Sequence, residues 1–256
     1  MSNIVVESKY GKIIASDKDK YVGRALIEYG EFSESEADLF KQIIKKDWVV
    51  VDVGANFGVH TLLFSQIAGQ VYAFEPQKQV FNALCGTLAL NNITNVEPIR
   101  AAVGNGCDVK YQDLDMSVEN NFGGFSFTTI TEGEDLPTFP LNIPCNFLKI
   151  DVESMELDVL HGAEDMIRAC KPIMYIEADR PDKNEELFAF IRELGYTPFW
   201  HSAMFYNPDN FNNNPINHFE GIASINVLCV PNEIKLEGMT EAFAEDWHTL
   251  FVSQSY

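Results

Sequence analysis

The strongest chemical signal in the chain is Asp52-Val53-Gly54-Ala55-Asn56-Phe57-Gly58. It follows the β-branched run Val49–Val53 and precedes a helical apolar pattern. Gly54 and Gly58 let the backbone turn tightly and approach a ligand. A helix start adds free amides and the positive end of a dipole. A dinucleotide fingerprint would read G-x-G-x-x-G, but Asn56 stands at its middle glycine and Val59 at its third. A pyrophosphate needs bare backbone where Asn56 carries a side chain. Glu75 ends the next strand candidate, 21 residues after Gly54, where a carboxylate can accept both hydroxyls of a ribose. Together these residues describe a nucleoside site without a pyrophosphate, and S-adenosylmethionine is such a cofactor.

A second group of residues has the chemistry for an acceptor. Asp151 ends one strand candidate, and Glu177 and Asp179 end the next. The spacing of two sets Glu177 and Asp179 on one side of a continuing strand. Clustered carboxylates either raise one pKa or bind a cation, so Asp151, Glu177 and Asp179 are candidate ligands for Mg2+ or another divalent cation. Asp151 and His201 are the candidate catalytic groups. A histidine with an ordinary pKa near 6.5 suits a base at neutral pH. The stretch from Phe205 to Asn217 holds six asparagines. Its Tyr206, Asn207 and Asn210 combine aromatic faces with amides that donate and accept, which suits a neutral polyol. Asn121, before Gly123-Gly124, is a second lip for a substrate, and Glu177 and His201 complete the substrate set. His161 falls in a helical stripe and reads as structural. His218 fits a loop or a site equally.

Alternating elements must position these groups. Ile4–Val6 and Ile13–Ala15 are short strand candidates. Ser33-x-x-Glu36 reads as a capping box opening a helix with Leu39, Phe40, Ile43 and Ile44 on its apolar face. From Trp48 the rhythm is strand and helix: Val49–Val53, the helix through Val59 and Ile67, Val71–Phe74, the helix after Pro76, Asn95–Val103, Phe147–Ile150, the helix through Leu157 and Ile167, Ile173–Ile176, and the helix ending at Gly195. Such alternation requires a mainly parallel sheet with helices on both faces. Thr197–His201 and Ser224–Val230 have no helix between them and read as an antiparallel pair at the sheet edge. Ligands of open α/β sheets bind outside the carboxyl ends of the strands. The expected organisation is an extension over residues 1–47 packing on a domain over 48–256. Insertions at 104–146 and 202–223 interrupt that domain, and the first of them holds strands near Val109–Leu114 and Phe125–Ile130.

Asp52-Val-Gly-Ala-Asn-Phe-Gly, Ala73-Phe74-Glu75-Pro76 and Leu148-Lys149-Ile150-Asp151-Val152-Glu153 together resemble the FkbM family of S-adenosylmethionine-dependent methyltransferases. The likeness runs from about Tyr21 to Pro231 and includes Tyr29-Gly30-Glu31, Asn121-Phe122-Gly123-Gly124 and Glu156-x-x-x-Leu160-x-Gly162-Ala163. It implies an α/β, Rossmann-like class I methyltransferase fold: a seven-stranded, mostly parallel sheet of order 3-2-1-4-5-7-6, with methyl transfer to oxygen. It also implies a cofactor set. Gly54 and Asn56 lie beside the methionine part, Glu31 reaches the methionine end, Glu75 holds the ribose and Ala102 flanks the adenine. Asp52, Gly58, Thr61, Pro76 and Asp151 complete the set. The family usually reads Asp-Val-Glu-Gly where this chain has Ser154, and Leu-Asp-Ser-Leu where it has the stretch from Leu136 to Leu141.

Composition bounds these readings. Hydrophobic residues make up 46% of the 256, enough for a full core. Eighteen Lys and Arg against 38 Asp and Glu give a net charge of −20, which opposes a nucleic-acid partner because phosphate binding needs clustered cations. The expected partner is a small-molecule or glycan acceptor, and a homodimer is compatible with the sequence. No apolar run approaches the ~20 residues of a membrane span, and no secretory signal is apparent, so a cytoplasmic protein is expected. The five cysteines form no CxxC pair and read as reduced, mostly buried hydrophobes. The competing readings are a Rossmann-type oxidoreductase, which Asn56 opposes, and a non-catalytic protein that keeps the fold.

Overall fold

β-branched and aliphatic runs of four or five residues, buried on both faces, build the centre of the molecule. In the computed structural model, which describes residues 3–113, 115, 117–124 and 132–247, these runs are β3 (Val49–Val53), β4 (Gln70–Phe74), β9 (Phe147–Ile150) and β10 (Ile173–Glu177). With β5 (Val96–Ile99), β11 (Tyr196–Met204) and β12 (Ala223–Pro231) they form a seven-stranded sheet in the order β5-β4-β3-β9-β10-β12-β11. Numbered along the chain, that is 3-2-1-4-5-7-6. β12 runs antiparallel to both its neighbours, and the remaining pairs are parallel.

The period of two sorts side chains between the faces. Val51, Val53, Leu148, Ile150, Met174 and Ile176 meet α5 (Glu156–Cys170) and α6 (Asn184–Glu193). On the opposite face Val50, Val71, Phe147, Tyr175 and Leu228 meet Ala37 and Phe40 of α2 (Glu34–Ile43) and Leu63 and Phe64 of α3 (Val59–Ile67). The same alternation carries Asp52, Lys149, Asp151, Glu177 and Asn226 onto the α2–α3 face at the carboxyl ends of the parallel strands. A polar floor therefore continues an apolar one.

The structure departs from the sequence reading in several places. Residues 3–47 form a hairpin of β1 (Asn3–Ser8) and β2 (Gly11–Ser16) and two helices. The first of these, α1 (Val22–Tyr29), was not anticipated: it has only eight residues, no acidic first turn and no side-chain cap. β2 packs on α4 (Lys78–Leu90), with Ile14 N–H donating to Thr87 Oγ1 at 3.0 Å. Ser33 and Glu36 form no capping box. Ser33 makes no side-chain cap bond; its hydroxyl lies 3.2 Å from that of Ser224, and Glu36 turns inward. The expected strand Asn95–Val103 breaks after Ile99. β6 (Ala102–Val103) leaves the main sheet and pairs with β8 (Glu134–Phe139), which also pairs with β7 (Asp108–Tyr111). The expected strand near Val109 thus ends at Tyr111, and Phe125–Ile130 lies outside the described residues. Of the cysteines only Cys145 and Cys229 are buried; Cys107 and Cys170 are exposed and Cys85 is intermediate.

Candidate active site

A cleft of about 360 Å³ opens over the carboxyl ends of β3, β4, β9 and β10. Its first wall is the β3–α3 turn. Gly54 has φ +86°, and a Cβ there would stand 1.8 Å from the Asp151 carbonyl oxygen, so only glycine lets the ends of β3 and β9 come this close. The amides of Gly54 and Ala55 both donate to the Phe74 carbonyl, at 3.0 and 2.9 Å. Asn56, at φ +52°, folds its own Oδ1 back onto the Phe57 amide at 2.7 Å. Its backbone N–H donates to Glu75 Oε2 at 3.1 Å, and the Gln77 amide donates to Oε1 at 2.8 Å. Burial pushes the Glu75 carboxyl up to about 7 although both amides oppose it. Beside it the Gln77 side chain is 5% exposed, and neither its oxygen nor its nitrogen finds a partner among the described residues.

The floor holds paired charges. Asp52 Oδ2 accepts from the Thr61 hydroxyl at 2.7 Å. Lys149, 3% exposed, donates to Asp151 Oδ2 at 2.9 Å and lies 3.7 Å from Asp52 Oδ1. Burial pulls this ammonium down, but Asp151, Asp52 and Glu36 outweigh it and hold its pKa above the ordinary lysine value. Glu36, also 3% exposed, accepts from Asn226 Nδ2 at 3.0 Å, and its other oxygen stands 3.3 Å from His60 Nε2. Burial lifts Glu36 to about 7, against the pull of Lys149. Burial and the same ammonium drive His60 well below its usual value, so its imidazole is neutral.

The third wall is acidic. One oxygen from each of Asp151, Glu153 and Glu177 falls within 4.8 Å of the others. This trio corrects the expected one. β10 ends at Glu177, and Asp179, although it lines the cleft, turns to pair with Arg180. Arg180 Nη2 also reaches Glu153 Oε2 at 2.6 Å. Burial, helped by Asp151 and Asp179, lifts Glu153 to about 8 and drives Glu177 well above the ordinary carboxylate range. Glu153 and Ser154 have φ +54° and +88°, and the Glu156 carboxylate ties their turn by accepting from the amides of Val152 and Ser154 at 3.3 and 3.1 Å. The donor set could hold a divalent cation, but Lys149 and Arg180 already compensate two of its three carboxylates.

Of the residues singled out in the sequence, Asp52, Gly54, Asn56, Glu75, Pro76, Asn121, Asp151, Glu177 and Asp179 line this cleft. Asn121 sits on a strap whose neighbour Asn120 exchanges backbone hydrogen bonds with Lys18 and Lys20, both at 3.0 Å. Ala102 lines a small apolar hollow next door, with Phe74, Val103, Val152 and Met155. Gly58 caps α3 from behind, and Thr61 is buried beneath Asp52.

The other expected residues are not in the cleft. His201, on the edge strand β11, is engaged by the Tyr175 hydroxyl at Nδ1, 2.7 Å away. Glu31 binds the loop instead of a ligand: it accepts from Asn207 Nδ2 at 2.8 Å and from the Phe211 amide at 3.1 Å. Asn210 bonds the carbonyls of Asn207 and Asn214 and the Asn214 amide, and Tyr206 donates to the Pro215 carbonyl. The loop's amides thus serve its own backbone and α1, and Phe205 is its contribution to the cleft wall. Glu36, His60, Gln77, Lys149, Glu153 and Arg180 were not foreseen as site residues. A lysine inside the apolar run Phe147–Ile150 was a legible sign of a buried ion pair; nothing in the sequence turned Glu36 inward.

The model of the Methyltransferase FkbM domain matches residues 52–198, more than half of the chain. The hexuronic acid methyltransferase AglP of Haloferax volcanii is 27% identical over 143 residues, covering 52% of this chain and 59% of that protein. The chain therefore matches less than two thirds of that relative's length. Among solved structures, precorrin 8W decarboxylase from Methanobacterium thermoautotrophicum shares 13% identity over 85% of this chain and 98% of its own, with a TM-score of 0.51. TYW2 from M. jannaschii, solved in complex with AdoMet, shares 15% over 90% of this chain and 85% of its own, with a TM-score of 0.50. At such identities the likeness is one of fold.

Proposed function

The chain belongs to the FkbM methyltransferase domain family, and from that premise we propose that it is an S-adenosylmethionine-dependent O-methyltransferase acting on a hydroxyl of a carbohydrate. The observation that carries the cofactor reading is the Glu75 carboxylate lying beside the unpartnered side-chain carboxamide of Gln77 at one end of the cleft. A buried amide without partners is costly to leave dry, and a nucleoside's hydroxyls and ring nitrogens satisfy both its atoms and the carboxylate. The apolar hollow around Ala102 and Met155 suits an adenine face. Gly54, Asn56 and Asp52 would take the amino-acid tail. When bound, the cofactor supplies a methyl group on a positively charged sulfur. The chain's own part is to hold the acceptor oxygen in line and exclude water, and orientation of this kind can supply roughly 7–11 kcal/mol.

The carbohydrate reading rests on the named relative, whose substrate is a hexuronic acid, and on a cleft walled by aromatic, amide and carboxylate groups. A net charge of −20 supports an acceptor other than nucleic acid. Incubation with radiolabelled S-adenosylmethionine and a panel of neutral and uronic-acid glycans tests it: label in a glycan fraction is the expected result, and label in none of them would overturn the substrate class. Calorimetry against S-adenosylhomocysteine and NADH tests the cofactor. Binding of NADH alone would restore the oxidoreductase reading. With Lys149 and Arg180 in place, chelator leaves turnover intact; loss of activity that magnesium restores would instead assign a cation to Asp151, Glu153 and Glu177.

A further inference from the structure

We propose that Glu36, set against His60, is the base that takes the proton from the acceptor hydroxyl. The inference rests on the O-methyltransferase reading and adds to it a residue outside the matched domain. The other carboxylates and the expected histidine are committed elsewhere. Asp151 Oδ2 accepts from Lys149, Glu153 from Arg180, and Glu75 from two amides at the far end of the cleft. Glu177 sits in the acidic trio with Asp151 and Glu153, and burial with these two neighbours drives it well above the carboxylate range. His201 lies outside the cleft behind Tyr175.

Glu36 differs in its surroundings. Asn226 Nδ2 anchors one oxygen from β12. The other faces His60 Nε2 at 3.3 Å, but the two are not aligned as a hydrogen bond, and Nε2 has no partner among the described residues. Both side chains line the cleft, and His60 is 8% exposed. A hydroxyl entering there can donate to Glu36 while its oxygen accepts from the Nε2–H tautomer of His60. The charged and titratable groups around Glu36 are His60 from α3, Lys149 and Asp151 from β9 and its end, and Tyr175 from β10, with Ser224 and Asn226 from β12. Burial raises the Glu36 carboxyl, Lys149 pulls it back against Asp151, and the resulting pKa of about 7 is that of a base effective at neutral pH. In the reaction an oxygen lone pair forms the bond to the methyl carbon as the carbon–sulfur pair returns to sulfur. The hydroxyl proton passes to Glu36 and later to solvent.

The test compares wild type, Glu36→Gln and His60→Asn, each saturated with S-adenosylhomocysteine. Infrared difference spectra between about pH 5 and 9 report the carboxyl band without any acceptor. The expected result is a band absent from Glu36→Gln, disappearing in wild type with a midpoint near neutral pH, and moved in His60→Asn. Calorimetric affinity for S-adenosylhomocysteine should stay within about threefold of wild type, while the label transferred to the glycan panel falls about 10²–10⁴-fold in Glu36→Gln, the range of a lost general base. A wild-type midpoint below about pH 5 would overturn the proposal. So would a tenfold loss of S-adenosylhomocysteine affinity, which would make Glu36 a cofactor ligand. If Glu36→Gln does not fold, the part of the carboxyl band that His60→Asn moves decides, because Glu75 and Glu153 titrate in the same window while His60 faces Glu36; a band that His60→Asn leaves unmoved would overturn the proposal. Failure of wild type to bind S-adenosylhomocysteine would sink the cofactor reading itself, and binding without label transfer would sink only the acceptor class.

Discussion

Glu75 and Ser154 show how much a single position can carry. Glu75 spends both oxygens on backbone amides of the turns that flank it, so its carboxylate is fixed before any ligand arrives. Replacing it with Ala removes a charge-assisted acceptor and frees the Asn56 and Gln77 amides. Calorimetry should find S-adenosylhomocysteine bound more weakly by about 1–3 kcal/mol, and an unchanged affinity would remove Glu75 from the nucleoside site. Ser154 stands where the FkbM pattern usually has glycine, and its φ of +88° is one that glycine adopts without strain. Its amide, not its side chain, holds Glu156. Ser154→Gly should therefore stabilise the protein by about 0.5–1 kcal/mol, the strain relieved less the entropy glycine adds to the unfolded chain. Thermal melts check this, and a lower midpoint would mean that the hydroxyl makes a contact of its own.

Elements decide which of these residues meet. The ends of β3 and β9 approach so closely at Gly54 that a methyl group must push them apart. Gly54→Ala should lose S-adenosylhomocysteine binding altogether while the molecule still melts cooperatively; retained affinity in the same calorimetry would show that the turn can shift without disturbing the site. This juncture was legible in the sequence, because a short β-branched run, two glycines and a helical stripe each point to the same strand–turn–helix unit. So was Glu75, by its distance along the chain from Gly54. Other features are written only in tertiary contacts. Ser33 and Glu36 have the spacing of a capping box, yet α2 rotates its Glu36 face onto β12, where Asn226 donates a hydrogen bond to the buried carboxylate. The asparagines between Asn207 and Asn217 have the chemistry of a sugar site, but a loop of that length must first satisfy its own backbone, and Glu31 and α1 take up what is left. His201 faces the same side of the sheet as the cleft, but burial lowers its pKa, and β10 and β12 stand between its strand and β9, which leaves it outside the cleft. β6 leaves the sheet because Arg100 and Ala101 interrupt a run that composition alone reads as continuous.

At the scale of the whole molecule, the buried carboxylates and the net charge of −20 act in the same direction with pH, and salt separates them. Glu36 and Glu75 titrate near 7 in the folded protein and near 4.5 when unfolded. The native state therefore holds protons that the unfolded chain has released. The stability this contributes is fully present below about pH 4.5 and is lost as pH rises through 7. Each linked proton is worth up to ~1.4 kcal/mol per pH unit within that window, and a kcal/mol moves the melting temperature of a domain this size by about 2–4 °C. Surface self-repulsion also grows with pH, but it is screened at about 1 M salt, where the Debye length is about 3 Å. In such salt and without ligand, the melting temperature should still fall by several degrees between about pH 5.5 and 7.5. In the Glu36→Gln, Glu75→Gln double variant that fall should shrink by the share of these two groups, and what remains belongs to the other buried carboxyls that burial raises, Asp19, Glu153 and Glu177. A wild-type melting temperature that rises with pH in high salt would mean that both carboxylates are ionised and compensated in the empty protein. Glu36 could not then be a base poised at neutral pH.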